Sequence, residues 1–301
     1  MEKVHDVIVI VGPTAIGKTK LAIDLAQYWT CNIISADSRQ FYKEMSLGTA
    51  VPDNRELSAA PHFLIQHKSI FDDYTVGDFE REALSLIEKF SKNHKRTVVV
   101  GGSGLYINAL LYGLDDFPEV PKAIRDELNQ ELVHYGIGAL QEELKRVDPK
   151  YYAQVDLMNP QRVIRALEIY RSSGIPFSDL RKSSTKQRPF RFTLVGITAH
   201  REEIYERINK RVDQMINLGL TQEVESLIPH KNLNALQTVG YKELFDYFEN
   251  KLSLAQAVDL IKQNTRRFSK RQMTWFKKNQ DIKWFKRERP LEEIVDFIES
   301  R

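Results

Sequence analysis

The sequence predicts an α/β fold, a doubly wound parallel sheet interrupted by a helical insertion. Three observations predict it. A β-branched run at 4–11 (VHDVIVIV) leads into a glycine-bearing loop and then a helical pattern over Lys18–Trp29. Further β-branched runs at Asn32–Ser35, Thr97–Val100 and Phe192–Thr198 alternate with helical patterns. From about Asp116 to Arg188 helical patterns continue without a convincing strand. Short apolar runs separated by helices imply parallel strands joined by crossovers.

Each element follows in order. The run at 4–11 is apolar almost throughout, as a buried parallel strand requires. Helical spacing of apolar residues recurs at Asp78–Phe90, Leu105–Leu111 and Glu202–Leu218. In the middle block, Arg125–Val147 and Pro160–Ser173 repeat apolar residues every three or four positions. Pro118 and Pro121 precede that block, and the loop Lys182–Pro189 (KSSTKQRP) closes it. The expected organisation is a core of 1–115 and 190–301, with a helical insertion at 116–189. After Glu202 the chain reads as mostly helical, with Leu254–Lys278 its longest periodic stretch. There are no internal repeats, and no long heptad run calls for a coiled coil, so a monomer is expected.

With 301 residues, 42% of them hydrophobic, the chain can bury a sizeable core. Its net charge of +3 says little about partners, so the placement of charge matters more. The single cysteine, Cys31, excludes an internal disulfide and a multi-cysteine metal site, and reads as apolar filler beside a strand. No signal peptide is visible. The apolar run Val7–Val11 is too short to span a bilayer, so the expected location is cytoplasmic and no membrane partner is expected.

Gly12, Pro13, Thr14, Ala15, Ile16, Gly17, Lys18 and Thr19 fit the pattern GxxxxGK[ST] completely. The motif follows a predicted strand and opens a predicted helix, as a P-loop must. Its glycines let the backbone wrap a phosphate, and the helix N-terminus points amides at the anion. Lys18 adds a mobile charge, and the Thr19 hydroxyl suits Mg²⁺ beside the phosphates. The fold is therefore expected to be P-loop NTPase-like. The motif identifies a polyphosphate site without identifying the polyphosphate, and a nucleotide-binding or ATP-binding protein is the default. One feature weakens that default. The strand Thr97–Val100 ends in Gly101-Gly102-Ser103-Gly104, where a Walker B acid would normally stand.

Asp37 lies just past the second strand, where open α/β sheets bind ligands. It could accept a proton from a nucleophile, or simply cap a helix together with Ser38. Arg207 and Arg211 are four apart on a predicted helix and share a face.

The ordered motifs resemble those of tRNA dimethylallyltransferases, also called tRNA isopentenyltransferases, of bacterial type. The matching pieces are GPTAIGKT (12–19), ISADSRQFYKEMSLGTA (34–50), PHFLI (61–65), YTVGDF (74–79), VVGGSGLYINALLYGL (99–114), NPQRVIRALEIY (159–170), RINKRVDQMINLGLTQEV (207–224), VGYKEL (239–244) and KRQMTWF (270–276). They span most of the chain in order and are far more specific than a lone P-loop. Ser103 departs from the expected threonine but keeps the hydroxyl.

The resemblance implies transfer of a dimethylallyl group from dimethylallyl diphosphate to N6 of the adenine 3′-adjacent to the anticodon, with Mg²⁺ as cofactor. It implies that the P-loop holds the donor's diphosphate, which fits the missing Walker B acid. It also implies Asp37 as general base, Ser103 as a substrate hydrogen-bonding group and Arg211 as a counter-charge to the leaving diphosphate. RNA contacts are implied at Asp37, Ser38, Arg39, Gln40, Ser103, Arg125, Gln161, Arg162, Val163, Ile164, Arg165, Lys242, Arg267, Lys270 and Arg271. The insertion is where the match is weakest. A structural alternative for its helix pairs Arg165 with Glu168.

The target adenine would have to leave the stacked anticodon loop, and Phe41, Tyr42 and Tyr106 are candidates to stack on it, or else core residues. Residues 260–280 hold Lys262, Arg266, Arg267, Lys270, Arg271, Lys277 and Lys278 without an acid until the stretch ends. Leu254, Val258, Ile261, Phe268 and Trp275 lie beside them at helical spacing, which predicts an amphipathic helix with a buried stripe and a basic face that suits a phosphate backbone or is simply solvated. The resemblance implies the tRNA anticodon stem-loop as partner. Arg181, Lys182, Lys186, Arg188 and Arg191 form a second basic stretch.

Three other functions compete. A small-molecule or nucleotide kinase would need ATP. A non-catalytic RNA-binding protein is opposed by the intact Lys18, Thr19 and Asp37. A prenyltransferase acting on free AMP or ADP would not need the basic helix or the large insertion.

Overall fold

The computed structural model describes residues 4–181 and 185–301. Lys182 lies outside the described residues. The chain divides into two compact units, Met1–Leu111 with Gln187–Arg301, and Tyr112–Lys186.

The first unit begins with β1 (His5–Val11), α1 (Lys18–Trp29), β2 (Asn32–Ser35), α2 (Asn54–Ala59), β3 (His62–Phe63), α3 (Val76–Ser91), β4 (Arg96–Val100) and α4 (Gly104–Tyr112). The second unit holds α5 (Lys122–Val147), α6 (Pro149–Tyr152), α7 (Pro160–Ser173) and α8 (Phe177–Leu180). The chain then returns through β5 (Phe190–Thr198), α9 (Arg201–Asn217), α10 (Leu220–Ser226), α11 (Tyr241–Phe248), α12 (Leu254–Phe276), β6 (Lys283–Lys286) and α13 (Leu291–Glu299).

The six strands form one parallel sheet in the order β3-β2-β4-β1-β5-β6. β1 is central, and its Val7 to Val11 are all buried. That burial on both faces explains its unbroken apolar run. Because all strands run the same way, the loops after β1, β2 and β4 emerge at one edge of the sheet. The ladder continues past the strand ends, with Ala36 N donating to Val100 O at 2.7 Å and Gly101 N to Ile10 O at 3.2 Å. These bonds hold the three loops close together.

A second apolar cluster joins the α10–α12 region to the segment after β2. It includes Met45, Val212, Leu220, Tyr241, Leu244 and Ile261. Cys31 is buried, and burial pushes its thiol up to about 11, so it is an inert filler.

The second unit has its own core of Leu128, Leu140, Leu144, Val163, Ile164 and Leu167. Gly136 breaks α5 with φ of 73° and ψ of 176°, an extended positive-φ conformation essentially confined to glycine. Arg171 of α7 ties the two halves of α5 together. It donates to both oxygens of Glu131 at 2.8 Å and to Glu143 at 2.5 and 3.0 Å. Those carboxylates hold the guanidinium's pKa above its ordinary value.

Two strands and one helix face depart from the sequence expectations. The C-terminal part is not wholly helical, because β6 pairs with β5 at the sheet edge. β3 pairs with β2 through only two residues. In α12 the expected stripe fails in its second half, where Phe268 and Trp275 are each 39% exposed. The buried positions there are Ser269, Gln272 and Phe276. Gln272 meets backbone polar groups that must be hydrogen-bonded, so a polar side chain takes the inward position.

Candidate active site

The loops at the sheet edge form one wall of a cleft of about 920 Å³. The phosphate loop supplies Thr14, Ala15, Gly17, Lys18 and Thr19 to its lining. Gly12 is required twice over. Its φ is 148°, and a Cβ there would lie 2.5 Å from Ile197 O of β5. Gly17 caps α1 with φ of 104°, and α1 therefore starts with its amides directed at the loop.

Lys18 Nζ donates to Pro13 O at 2.8 Å. Burial lowers its pKa to about 8, with Asp37 raising it and Arg211 lowering it further. Asp37, just past β2, lines the same cleft, and its Oδ1 accepts from Arg39 N at 3.1 Å. That bond makes a local turn that fixes the carboxylate. Ser103 lies at the head of α4. Its Oγ accepts from Ser38 N at 2.9 Å and donates to Ser38 Oγ at 3.1 Å, tying the β4 loop to the β2 loop.

α9 closes the opposite side. Arg207 Nε donates to Ala15 O at 2.7 Å, and Arg211 Nη1 donates to Thr14 Oγ1 at 3.3 Å. The expected shared face is therefore turned onto the phosphate loop. Burial lowers the Arg211 pKa, and Asp37 offsets part of the effect. Lys18, Arg211 and Arg207 concentrate positive charge on one side of the cleft, where a polyphosphate would neutralise it.

Gln272 was not singled out in the sequence. It is buried on α12, accepts from Thr14 N at 2.8 Å, and donates to Gly102 O at 3.1 Å. It links the loops after β1 and β4. The signal was available: an amide side chain between Ser269 and Phe276 on the inward face of an amphipathic helix. Glu223 was also missed. Its carboxylate accepts from the amides of Ser46, Leu47 and Gly48.

The loop of Asp37 to Gln40 is anchored from several sides. Arg39 Nη1 donates to Asn234 O and Ala235 O, and Gln40 Nε2 donates to Thr49 O and Ala50 O. Phe41 and Tyr42 are buried, and Phe41 packs among Tyr74, Phe79 and Tyr106. Phe41 and Tyr42 are thus core residues and not exposed stacking platforms.

Among the described basic residues, Lys242, Arg267, Lys270, Arg271, Lys277 and Lys278 are exposed on the first unit. Lys262 and Arg266 turn inward instead, to Asp213 at 2.6 Å and to Asn209 Oδ1 at 2.6 Å, both on α9. The second basic stretch is largely paired. Lys186 meets Asp116, Arg188 meets Glu80 in a buried pair, and Arg191 meets Asp6.

On the second unit, Gln161 and Arg162 are exposed and Arg165 is partly so. Arg165 does pair with Glu168, at 2.6 Å, and also lies over the Phe117 ring. Arg125 reaches Gln161 Oε1 at 3.1 Å and Glu168 at 3.6 Å. Val163 and Ile164 are fully buried in that unit's core. Their side chains cannot contact RNA, because a helix with polar flanking residues turns its apolar pair inward.

A hard cation such as Mg²⁺ keeps waters and takes one or two protein oxygens plus phosphate oxygens. Thr19 and Asp37 offer such oxygens in the cleft. Among the described residues no group of three His, Cys, Asp or Glu side chains is placed to hold a metal alone. The donor set therefore fits a cation carried in with a polyphosphate. No helix among the described residues is long and apolar enough to cross a membrane.

The family model described as IPP transferase matches residues 40–279. The chain is 54% identical over 292 residues to the tRNA dimethylallyltransferase of Christiangramia forsetii, with 97% of both chains covered. It is 51% identical to that of Flavobacterium johnsoniae, covering 97% of this chain and 96% of that one. Among solved structures it resembles the full-length tRNA isopentenylpyrophosphate transferase of Bacillus halodurans, with a TM-score of 0.73, 36% identity, and 98% and 96% of the two chains covered. It also resembles a eukaryotic dimethylallyltransferase acting on tRNA, with a TM-score of 0.83, 26% identity, and 99% and 80% covered. With the cleft, the phosphate loop and the matches in agreement, the chain belongs to the IPP transferase family, the family of the tRNA dimethylallyltransferases.

Proposed function

We propose that this protein transfers a dimethylallyl group from dimethylallyl diphosphate to N6 of the tRNA adenine 3′-adjacent to the anticodon, releasing diphosphate. The observation that carries the reading is one cleft in which Lys18, Thr19 and Arg211 stand with Asp37, while the strand end at Val100–Gly101 bears no acid. A kinase site would want that acid to manage Mg·ATP.

In the proposed reaction the C1–O bond of the donor breaks and its electron pair leaves with the diphosphate. The C1–N6 bond forms, and the N6 proton passes to Asp37. Lys18, Arg211 and the loop amides stabilise the charge that develops on the leaving group. Thr19 would hold Mg²⁺ together with diphosphate oxygens, and the ion would supply further charge neutralisation there. Ser103 holds Ser38, and so supports the Asp37 loop. The exposed Lys242, Arg267, Lys270 and Arg271, and on the second unit Arg125, Gln161, Arg162 and Arg165, are the proposed contacts to the anticodon stem-loop. The reading takes the enzyme to act as a cytoplasmic monomer.

The test is one incubation with dimethylallyl diphosphate, Mg²⁺ and unmodified tRNA, followed by mass spectrometry of the digested nucleosides. N6-(dimethylallyl)adenosine formed without ATP supports the reading. A requirement for ATP with phosphoryl transfer would overturn it.

A further inference from the structure

Along α9 the lining of the cleft passes from Arg207, Lys210 and Arg211 to the apolar Met215 and Leu218. Arg211 touches Thr14, and Met215 and Leu218, four and seven residues further on, also line the cleft. At 1.5 Å per residue they stand about 6 and 10 Å beyond Arg211 along the helix axis. Leu47 and Val51 add to this apolar lining. They belong to a segment, 46–52, that is neither helix nor strand. Something other than secondary structure must hold it in shape.

Gln40 holds Thr49 and Ala50, and Glu223 of α10 holds the first three residues. Its Oε2 accepts from Ser46 N at 3.1 Å and Leu47 N at 2.8 Å, and its Oε1 accepts from Gly48 N at 3.1 Å. Tyr241 donates its hydroxyl to the same Oε1 at 2.6 Å. Tyr241 is wholly buried. A Cβ on Gly48 would lie 2.5 Å from the Tyr241 ring, so the loop rests directly on that ring. Bonds to an ionised acceptor are the strong kind, and four converge on one carboxylate.

We propose that Glu223 is a positioning residue that fixes the wall against which the donor's hydrocarbon chain packs, and thereby sets the preference for a five-carbon over a ten-carbon prenyl diphosphate. The inference rests on the donor reading above. Glutamine at this position keeps the shape but replaces one acceptor oxygen with an NH₂ that faces amide donors. The loop then loses its hold at Ser46 to Gly48 and Leu47 shifts outward, while Gln40 still holds Thr49 and Ala50 and Lys18, Arg211 and Asp37 keep their own partners.

The experiment compares dimethylallyl and geranyl diphosphate as donors to tRNA, in the wild type, Glu223→Gln and Tyr241→Phe. In Glu223→Gln the KM for dimethylallyl diphosphate should rise. The ratio of kcat/KM for geranyl over dimethylallyl donor should increase about fivefold or more, within the discrimination an apolar pocket achieves. Tyr241→Phe, which removes one of the four bonds, should move the ratio the same way by less. tRNA affinity should not change. A folded Glu223→Gln protein with the wild-type ratio would overturn the inference. If that variant does not fold, a wild-type ratio in Tyr241→Phe overturns it instead. Calorimetry of the two diphosphates on wild type and variants reads the same preference without turnover. A wild-type protein that prenylates no tRNA therefore counts against the proposed function, and an unchanged binding preference counts against the clamp.

Discussion

Raising the pH through the titration of Lys18 should weaken donor capture before it affects turnover of the bound complex. Burial lowers the Lys18 pKa from 10.5 to about 8. The charged form, which would meet the diphosphate, dominates below that value and is lost above it. At one pH unit above the pKa about a tenth of the side chains stay charged, so kcat/KM for the donor should fall about tenfold per unit from pH 8 upward. A bound diphosphate restores the charge, so kcat at saturating donor should hold to higher pH. The same shift acts on stability. Between about pH 8 and 10.5 the unfolded chain binds a proton at Lys18 that the folded one does not, so the ligand-free protein should gain stability as pH rises through that window. The drop in pKa corresponds to ~3 kcal/mol, an order-of-magnitude figure. The assay is initial rates from pH 6 to 10 at limiting and saturating donor, in the wild type and Lys18→Met. The variant should be slow throughout and lack the limb near pH 8. A limb at pH 8 that persists in Lys18→Met would refute the assignment to Lys18.

Asp37→Asn should leave tRNA affinity intact and lower turnover by about a hundredfold or more, the scale of losing a general base; single-turnover rates beside a binding assay check this. Replacing Lys270 and Arg271 together with alanine should weaken binding of all tRNAs and make the slope of log affinity against log salt shallower by about one to two, measured by titration at several salt concentrations. Gln272→Ala leaves Thr14 N and Gly102 O without partners and should cost about 1–3 kcal/mol of stability, together with a higher KM for the donor. Thermal melts and donor kinetics test it, and wild-type values in both would refute the linking role.

The parts legible in the sequence were those governed by local rules. β1 and the phosphate loop could be read because burial on both faces demands unbroken apolar residues and the loop demands glycine at Gly12 and Gly17. α1 and α7 match their expected bounds because clear stops flank them, Thr30 and Gly174 in left-handed conformations. β6 escaped because KWFK sets two adjacent aromatics between lysines, without a strand's alternation, and gains its strand character only from pairing with β5. The inward face of α12 was misread because apolar character was equated with burial. Its partner surface is loop backbone, which selects Gln272 and leaves Trp275 half outside. Glu223 could not be read, since its carboxylate lies about 175 residues from the amides it holds. Val163 and Ile164 had a motif behind them, but the helix core claims both.

The amides of Ser46 and Leu47 border the cleft beside those of the phosphate loop. Those of Ser46, Leu47 and Gly48 already face a resident carboxylate, Glu223. A polyanion drifting into the cleft is repelled there and attracted at the phosphate loop. The chain thus carries its own carboxylate ligand for these three amides, which leaves them closed to any other anion.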